Sequence, residues 1–197
     1  MRKELDYFRI ENFYGGYQEW FPDYMMRIGG CATVAACDSC IFFDFYKETR
    51  LYPYDLNNLT KQSYIHFGME MKPYLRPRWS GIDTLELFIN GFQEYLTDHD
   101  CQKISMDPFY GSEPVKRARK EIIQRIEEGF PVPYLVLNHR NPSFHSFEWH
   151  WFLLTGYELL ENKCMVKAVT YGRWYWLELE KIWDTGYARK GGLILYH

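Results

Sequence analysis

Cys31 follows a glycine pair, in Gly29-Gly30-Cys31-Ala32. It opens a run in which the small or apolar residues Ala32, Ala35, Ala36, Cys40 and Phe43 recur at helical spacing. A thiol at the first turn of a helix meets unpaired backbone N–H groups and the positive end of the helix dipole, and both favour the nucleophilic thiolate. The glycines ahead of it let a substrate carbonyl approach with no Cβ in the way. The second candidate is His150, in Phe147-Glu148-Trp149-His150-Trp151-Phe152-Leu153-Leu154-Thr155-Gly156-Tyr157, an apolar run that reads as a strand. A strand holds an imidazole rigidly against a thiol arriving from a facing helix. A thiol with such a base is the equipment of nucleophilic acyl chemistry.

Other groupings carry less. Cys37-Asp38-Ser39-Cys40 is a C-x-x-C, but it falls inside the predicted helix and lacks the βαβ setting of a redox motif. Zinc would need a second pair at metal spacing, and Cys101 and Cys164 stand alone. His139, His145 and His150 lie near Glu148 around a loop, with no two histidines at helical i, i+4 spacing, so no metal site is expected. Trp20, Trp79, Trp149 and Ser80-Gly81 are candidates for lining a substrate groove. Trp149 and Trp151 flank His150, so strand alternation points both away from its face.

These residues must be positioned by a chain of 197 residues, 47% apolar and 19% aromatic, which fits one domain with one core. A helix is predicted over Cys31–Tyr46, a second over Leu59–Tyr74 and a third over Asp83–Thr97, after an N-terminal loop lying over a cleft. A short strand is predicted over Cys101–Met106. A helix capped by Ser112 follows over Glu113–Glu128 and is ended by Gly129. Strands are predicted over Val132–Asn138, Phe147–Tyr157, Cys164–Thr170, Arg173–Leu179 and Leu193–Tyr196, with a helical turn near Glu180–Trp183. The fold class is therefore α+β: a helical half and a mainly antiparallel sheet half meeting near residue 100, with the cleft between them. Net charge is −3 with no basic face beyond Lys116–Lys120, so nucleic acid is not an expected partner. No apolar run is long enough for a membrane span, and Met1–Tyr7 does not read as a secretory signal. Five cysteines at irregular spacing suit reduced thiols, so a cytoplasmic setting is expected.

Taken in order, Gln18, Cys31 on a helix and His150 on a strand ending in Gly156-Tyr157 resemble the papain-like superfamily of cysteine peptidases. Within it, the Gly-Cys-Ala helix start and Glu128-Gly129-Phe130-Pro131-Val132 are similar to the bacterial double-glycine peptidase group. The resemblance covers roughly residues 14 to 184. It implies a papain-like fold with Cys31 as nucleophile and His150 as base. It also implies that the Gln18 amide and the Cys31 N–H hold the oxyanion, and that Gly29 and Gly30 lie beside the substrate. The implied activity is cleavage of a peptide or other acyl bond, with no cofactor. Acyl transfer to an amine on the same fold, and a catalytically silent binding module, are the alternatives. The chain departs from the family in two places. The Gln18-to-Cys31 interval is longer than papain's, so Phe21–Arg27 is expected to loop outward. Where the family places Asn or Asp before an aromatic-Gly pair, this chain has Thr170-Tyr171-Gly172. Thr170 would then accept from His150 Nδ1–H, or Asp184 or Glu148 would orient the ring by another route.

Overall fold

Small side chains let the segment Cys31–Tyr46 be wrapped on every side. From Cys31 to Phe43 only Val34 escapes full burial. In the computed structural model, which describes residues 1–197, this is the second of six helices. They are α1 (Tyr24–Gly29), α2 (Cys31–Tyr46), α3 (Lys61–Met71), α4 (Leu85–Asp98), α5 (Val115–Glu127) and α6 (Leu179–Trp183). The strands are β1 (Arg2–Glu4), β2 (Arg9–Ile10), β3 (Phe13–Tyr14), β4 (Met106–Tyr110), β5 (Val132–Val136), β6 (His150–Leu159), β7 (Cys164–Thr170), β8 (Arg173–Glu178) and β9 (Gly192–Tyr196).

The class is α+β, with helices in the N-terminal half and a seven-stranded sheet, ordered β4-β9-β5-β6-β7-β8, mainly in the C-terminal half. All its pairings are antiparallel, and β1 joins at the far end of β6, where Lys3 faces Tyr157. One cluster of 54 buried residues draws on both halves, so they share a core. The central strand β6 is buried from His150 to Tyr157 because helices cover it, which explains its continuous apolar run. No helix is long and apolar enough to cross a membrane.

Several boundaries differ from the sequence expectation. The N-terminal thirty residues hold three short strands and α1, where a loop was expected. The Phe21–Arg27 segment does not loop outward. Asp23 caps α1 by accepting from Met26 N at 2.9 Å and pairs with Lys72 Nζ at 2.6 Å, while Phe21 and Met26 are buried. Cys101–Met106 is not a strand; the strand begins at Met106, where pairing with Tyr196 starts. Ser112 does not cap α5, which begins after Pro114 with its fixed φ. Residues Pro142–Phe147 form a 3-10 helix, so β6 starts at His150 and not at Phe147.

Candidate active site

Gly30 separates α1 from α2, and a Cβ there would stand 2.3 Å from Met26 O. Only glycine lets the two helices abut this closely, and the abutment delivers Cys31 as the first residue of α2. The Sγ lies 4.0 Å from Trp149 O and also meets the backbone N–H of Trp151. It therefore rests against the chain on both sides of His150. Burial pushes the thiol pKa up, against the lowering effect of N–H groups from Trp151, Ala32 and Cys31 itself. Desolvation thus outweighs the helix N-terminus, contrary to the thiolate expected from position alone.

His150 is buried where β6 begins, paired with Val136 of β5. Its Nε2 is 2.6 Å from Thr170 Oγ1, at the end of β7. Thr170 is thus the ring's partner, but through Nε2 and not through Nδ1. With Nε2–H donating to the hydroxyl, Nδ1 keeps its lone pair. Glu148 is engaged elsewhere, accepting from His139 N at 2.5 Å, and the exposed Asp184 makes no bond to the imidazole. Burial lowers the His150 pKa to about 3. Thiol and imidazole make no hydrogen bond to each other, and both are held in their neutral forms.

In the sequence Tyr171 stands only as the aromatic of an aromatic-Gly pair, with no role of its own. Its ring stacks on His150 with centroids 4.6 Å apart and planes 9° from parallel, and its hydroxyl donates to Ser146 O at 2.5 Å. Tyr171 and Gly172 form the two-residue turn between β7 and β8, and both have positive φ, 55° and 69°. Such turns favour Asn, Asp or Gly, and a left-handed tyrosine costs about 1 kcal/mol. An aromatic residue at the first position of a two-residue turn was the available signal. Its ring closes one face of the imidazole.

The Gln18 side chain donates from Nε2 to Arg27 O at 2.8 Å, which fastens it to α1, while its Oε1 is buried without a partner. A cavity of about 350 Å³ adjoins Cys31, lined by Ile28, Gly29, Trp79, Ser80, Gly81 and Trp149. Trp79 is 82% exposed and Trp149 42%, so both indoles stand open to a ligand. Trp149 lines this cavity; it precedes β6 and has a φ of 51°, so strand alternation does not set its direction. Trp151 does turn away, stacking on Phe88 at 4.6 Å. Trp20 is not in the groove; it packs edge-on against Phe13 and Tyr64. Gly30 is absent from the lining and forms the tight junction between α1 and α2. His139 is buried, bonded to Lys181 O and Asn141 N, and does not join His145 and Glu148 in a metal cluster. Cys37 and Cys40 are buried with thiol pKa values pushed well up by burial, which is no setting for redox exchange.

Compared with protein-family models, curated proteins and solved structures, the chain finds no match.

Proposed function

We propose that this protein is a cysteine hydrolase of papain-like kind that cleaves a peptide or other acyl bond. The observation that carries this reading is the placement of the Cys31 thiol against the backbone flanking His150, whose Nε2 is tied to Thr170 while Nδ1 stays free. Because both groups rest neutral, the reaction is general-base catalysis and not attack by a preformed thiolate. Nδ1 takes the thiol proton as Sγ adds to the carbonyl. The Cys31 N–H and the Gln18 amide hydrogen not used by Arg27 O hold the oxyanion. The imidazolium returns the proton to the leaving amine, giving an acyl thioester, and water releases the acid. Trp79 and Trp149 flank the acyl group in the cavity.

One observation favours a second reading, a binding module on the same fold: thiol and imidazole are unbonded to each other and both desolvated toward neutrality. Labelling with a peptidyl acyloxymethyl ketone, read by intact mass and peptide mapping, separates the two. A hydrolase shows one adduct, on Cys31, that disappears in His150→Ala. The neutral resting thiol further implies that this substrate-like reagent outpaces iodoacetamide at pH 6. Labelling of Cys31 no faster than that of Cys101, and indifferent to His150→Ala, would leave the binding module. With a peptide ester as substrate, a product formed only when an amine is added would assign acyl transfer.

A further inference from the structure

Asp38 takes no part in the chemistry above, yet no other acidic residue is buried. It lies on α2, two turns beyond Cys31. Its two oxygens accept from Tyr64 Oη at 2.7 Å, from Tyr7 Oη at 2.9 Å and from Gly16 N at 3.1 and 3.2 Å. The last contact requires two glycines. A Cβ on Gly15 would stand 2.4 Å from Asp38 Oδ2, and one on Gly16 would stand 2.0 Å from Tyr64 Oη. The sequence Gly15-Gly16 is therefore what lets this backbone reach the carboxylate.

From Gly16 the connection runs two ways. Along the chain it leads to Gln18. Across space, Gly172 N donates to Gly16 O at 3.3 Å and Tyr14 N donates to Gly172 O at 2.8 Å. Gly172 completes the turn whose Tyr171 stacks on His150 and whose preceding residue, Thr170, holds Nε2. One carboxylate thus joins the helix that carries the thiol to the loop that carries Gln18 and the turn that clamps the imidazole.

We propose that Asp38 is a positioning residue: it holds Gly15-Gly16 against α2 and thereby sets Gln18 and the Thr170–Gly172 turn relative to Cys31. This rests on Cys31 and His150 being the reacting pair. A carboxylate suits the place because three donors converge on it and a carboxamide would turn its own donor toward one of them. The hold is also pH-dependent. Burial, opposed by the Tyr64, Gly16 and Tyr7 donors, raises the Asp38 pKa to about 6, and no cation acts on it. The titratable groups facing it are Tyr7, Tyr64 from α3 and Cys37 from α2, all pushed upward by burial. Asp38 alone among them changes charge between pH 4 and 8. Because the buried carboxyl holds its proton more tightly than an exposed one, protonation below about pH 6 favours the closed arrangement over any state in which these segments detach.

Hydrogen–deuterium exchange on the full chain, with Asp38→Asn and Tyr64→Phe as variants, tests this at pH 5 and 7.5 after correction for intrinsic rates. In Asp38→Asn, peptides covering residues 14–20 and 170–174 should exchange at least tenfold faster, while α4 and β9 keep their protection. The unmodified chain should exchange more slowly in the same two segments at pH 5 than at pH 7.5, and Asp38→Asn should lose that pH response. Labelling of Cys31 by the ketone should fall at least fivefold in the variant. Unchanged exchange, or exchange raised evenly along the chain, overturns the proposal. Should Asp38→Asn fail to fold, Tyr64→Phe removes one donor and must produce the same localised loosening in smaller measure. If Cys31 proves unreactive in the unmodified chain, the hydrolase reading fails, whereas the exchange pattern still decides whether Asp38 holds these segments.

Discussion

At the residue scale the arrangement of His150 is the most informative feature, because its partner is a hydroxyl where the papain-like resemblance implies a carboxamide or carboxylate. Thr170 Oγ1 fixes the ring orientation, but it offers little charge to stabilise an imidazolium. Thr170→Val should therefore lower the rate of Cys31 acylation by about tenfold to a hundredfold with little change in substrate binding, and Thr170→Asn should restore or exceed the original rate. Single-turnover kinetics with an activated ester reads both; a Thr170→Val rate equal to the original would remove Thr170 from the machinery. That Cys31 opens a helix and that Thr170 meets His150 was legible in the sequence, because residue type and order carry both. Which ring nitrogen meets Thr170 was not, since that depends on where the β7–β8 turn sends its side chains. Trp149 lines the cavity as its type suggests, but strand alternation does not govern it: it precedes β6 and has a left-handed φ that nothing in the surrounding letters marks. Glu148 looked available for His150 but is consumed by the His139 backbone, a competition visible only in three dimensions.

At the element scale, the expected span of α2 matches the structure residue for residue, because the glycines end the preceding segment and the small-residue run has a clear start. The order of the later strands was also legible, since each apolar run is bounded by turn residues. The failures lie where local signals conflict with pairing. The stretch after Cys101 is less regular than the Pro-containing edge strand Met106–Tyr110, which exists because β9 offers it partners. Ser112 fits a cap by type, but Pro114 sets the start of α5. Helix α1 was missed because six residues are too few for a periodic signal; it is held by the Asp23 cap and by packing of Phe21 beside Gly68. The α1–α2 junction is the element-level determinant of the site. Gly30→Ala should destabilise the protein by about 1–3 kcal/mol, because the methyl meets backbone and not a movable side-chain tip. Urea unfolding should show a lower midpoint with an unchanged m value, together with slower labelling of Cys31. An unaltered midpoint would mean that the junction relaxes freely and does not set the position of the thiol.

For the whole molecule, two buried titratable groups set opposing pH dependences. The His150 pKa falls from 6.5 to about 3 through burial, so the folded state binds that proton less tightly than the unfolded state. Its contribution is fully present above pH 6.5 and is lost as pH falls toward 3, about 5 kcal/mol across the window. The Asp38 pKa rises from 3.8 to about 6, so the folded state binds that proton more tightly. Its contribution is greatest below pH 3.8 and declines until pH 6, by about 3 kcal/mol. Between pH 4 and 6 each group changes stability by about 1.4 kcal/mol per pH unit with opposite sign, and the two nearly cancel. Removing either one should expose the other. Relative to the unmodified chain, Asp38→Asn should gain stability as pH rises from 4 to 6, whereas His150→Gln should lose it over the same range. Glu4, Asp23, Glu86 and Glu127, whose pKa values are lowered, remain in all three proteins and drop out of the differences. Urea unfolding at half-unit steps of pH measures the two difference curves. Mirror-image slopes would show that above pH 6 the fold keeps Asp38 ionised and His150 neutral, the latter being the protonation state that general-base chemistry at Cys31 requires. Flat, parallel curves would mean that both groups are more hydrated than their burial implies, and the neutral resting imidazole would have to be given up.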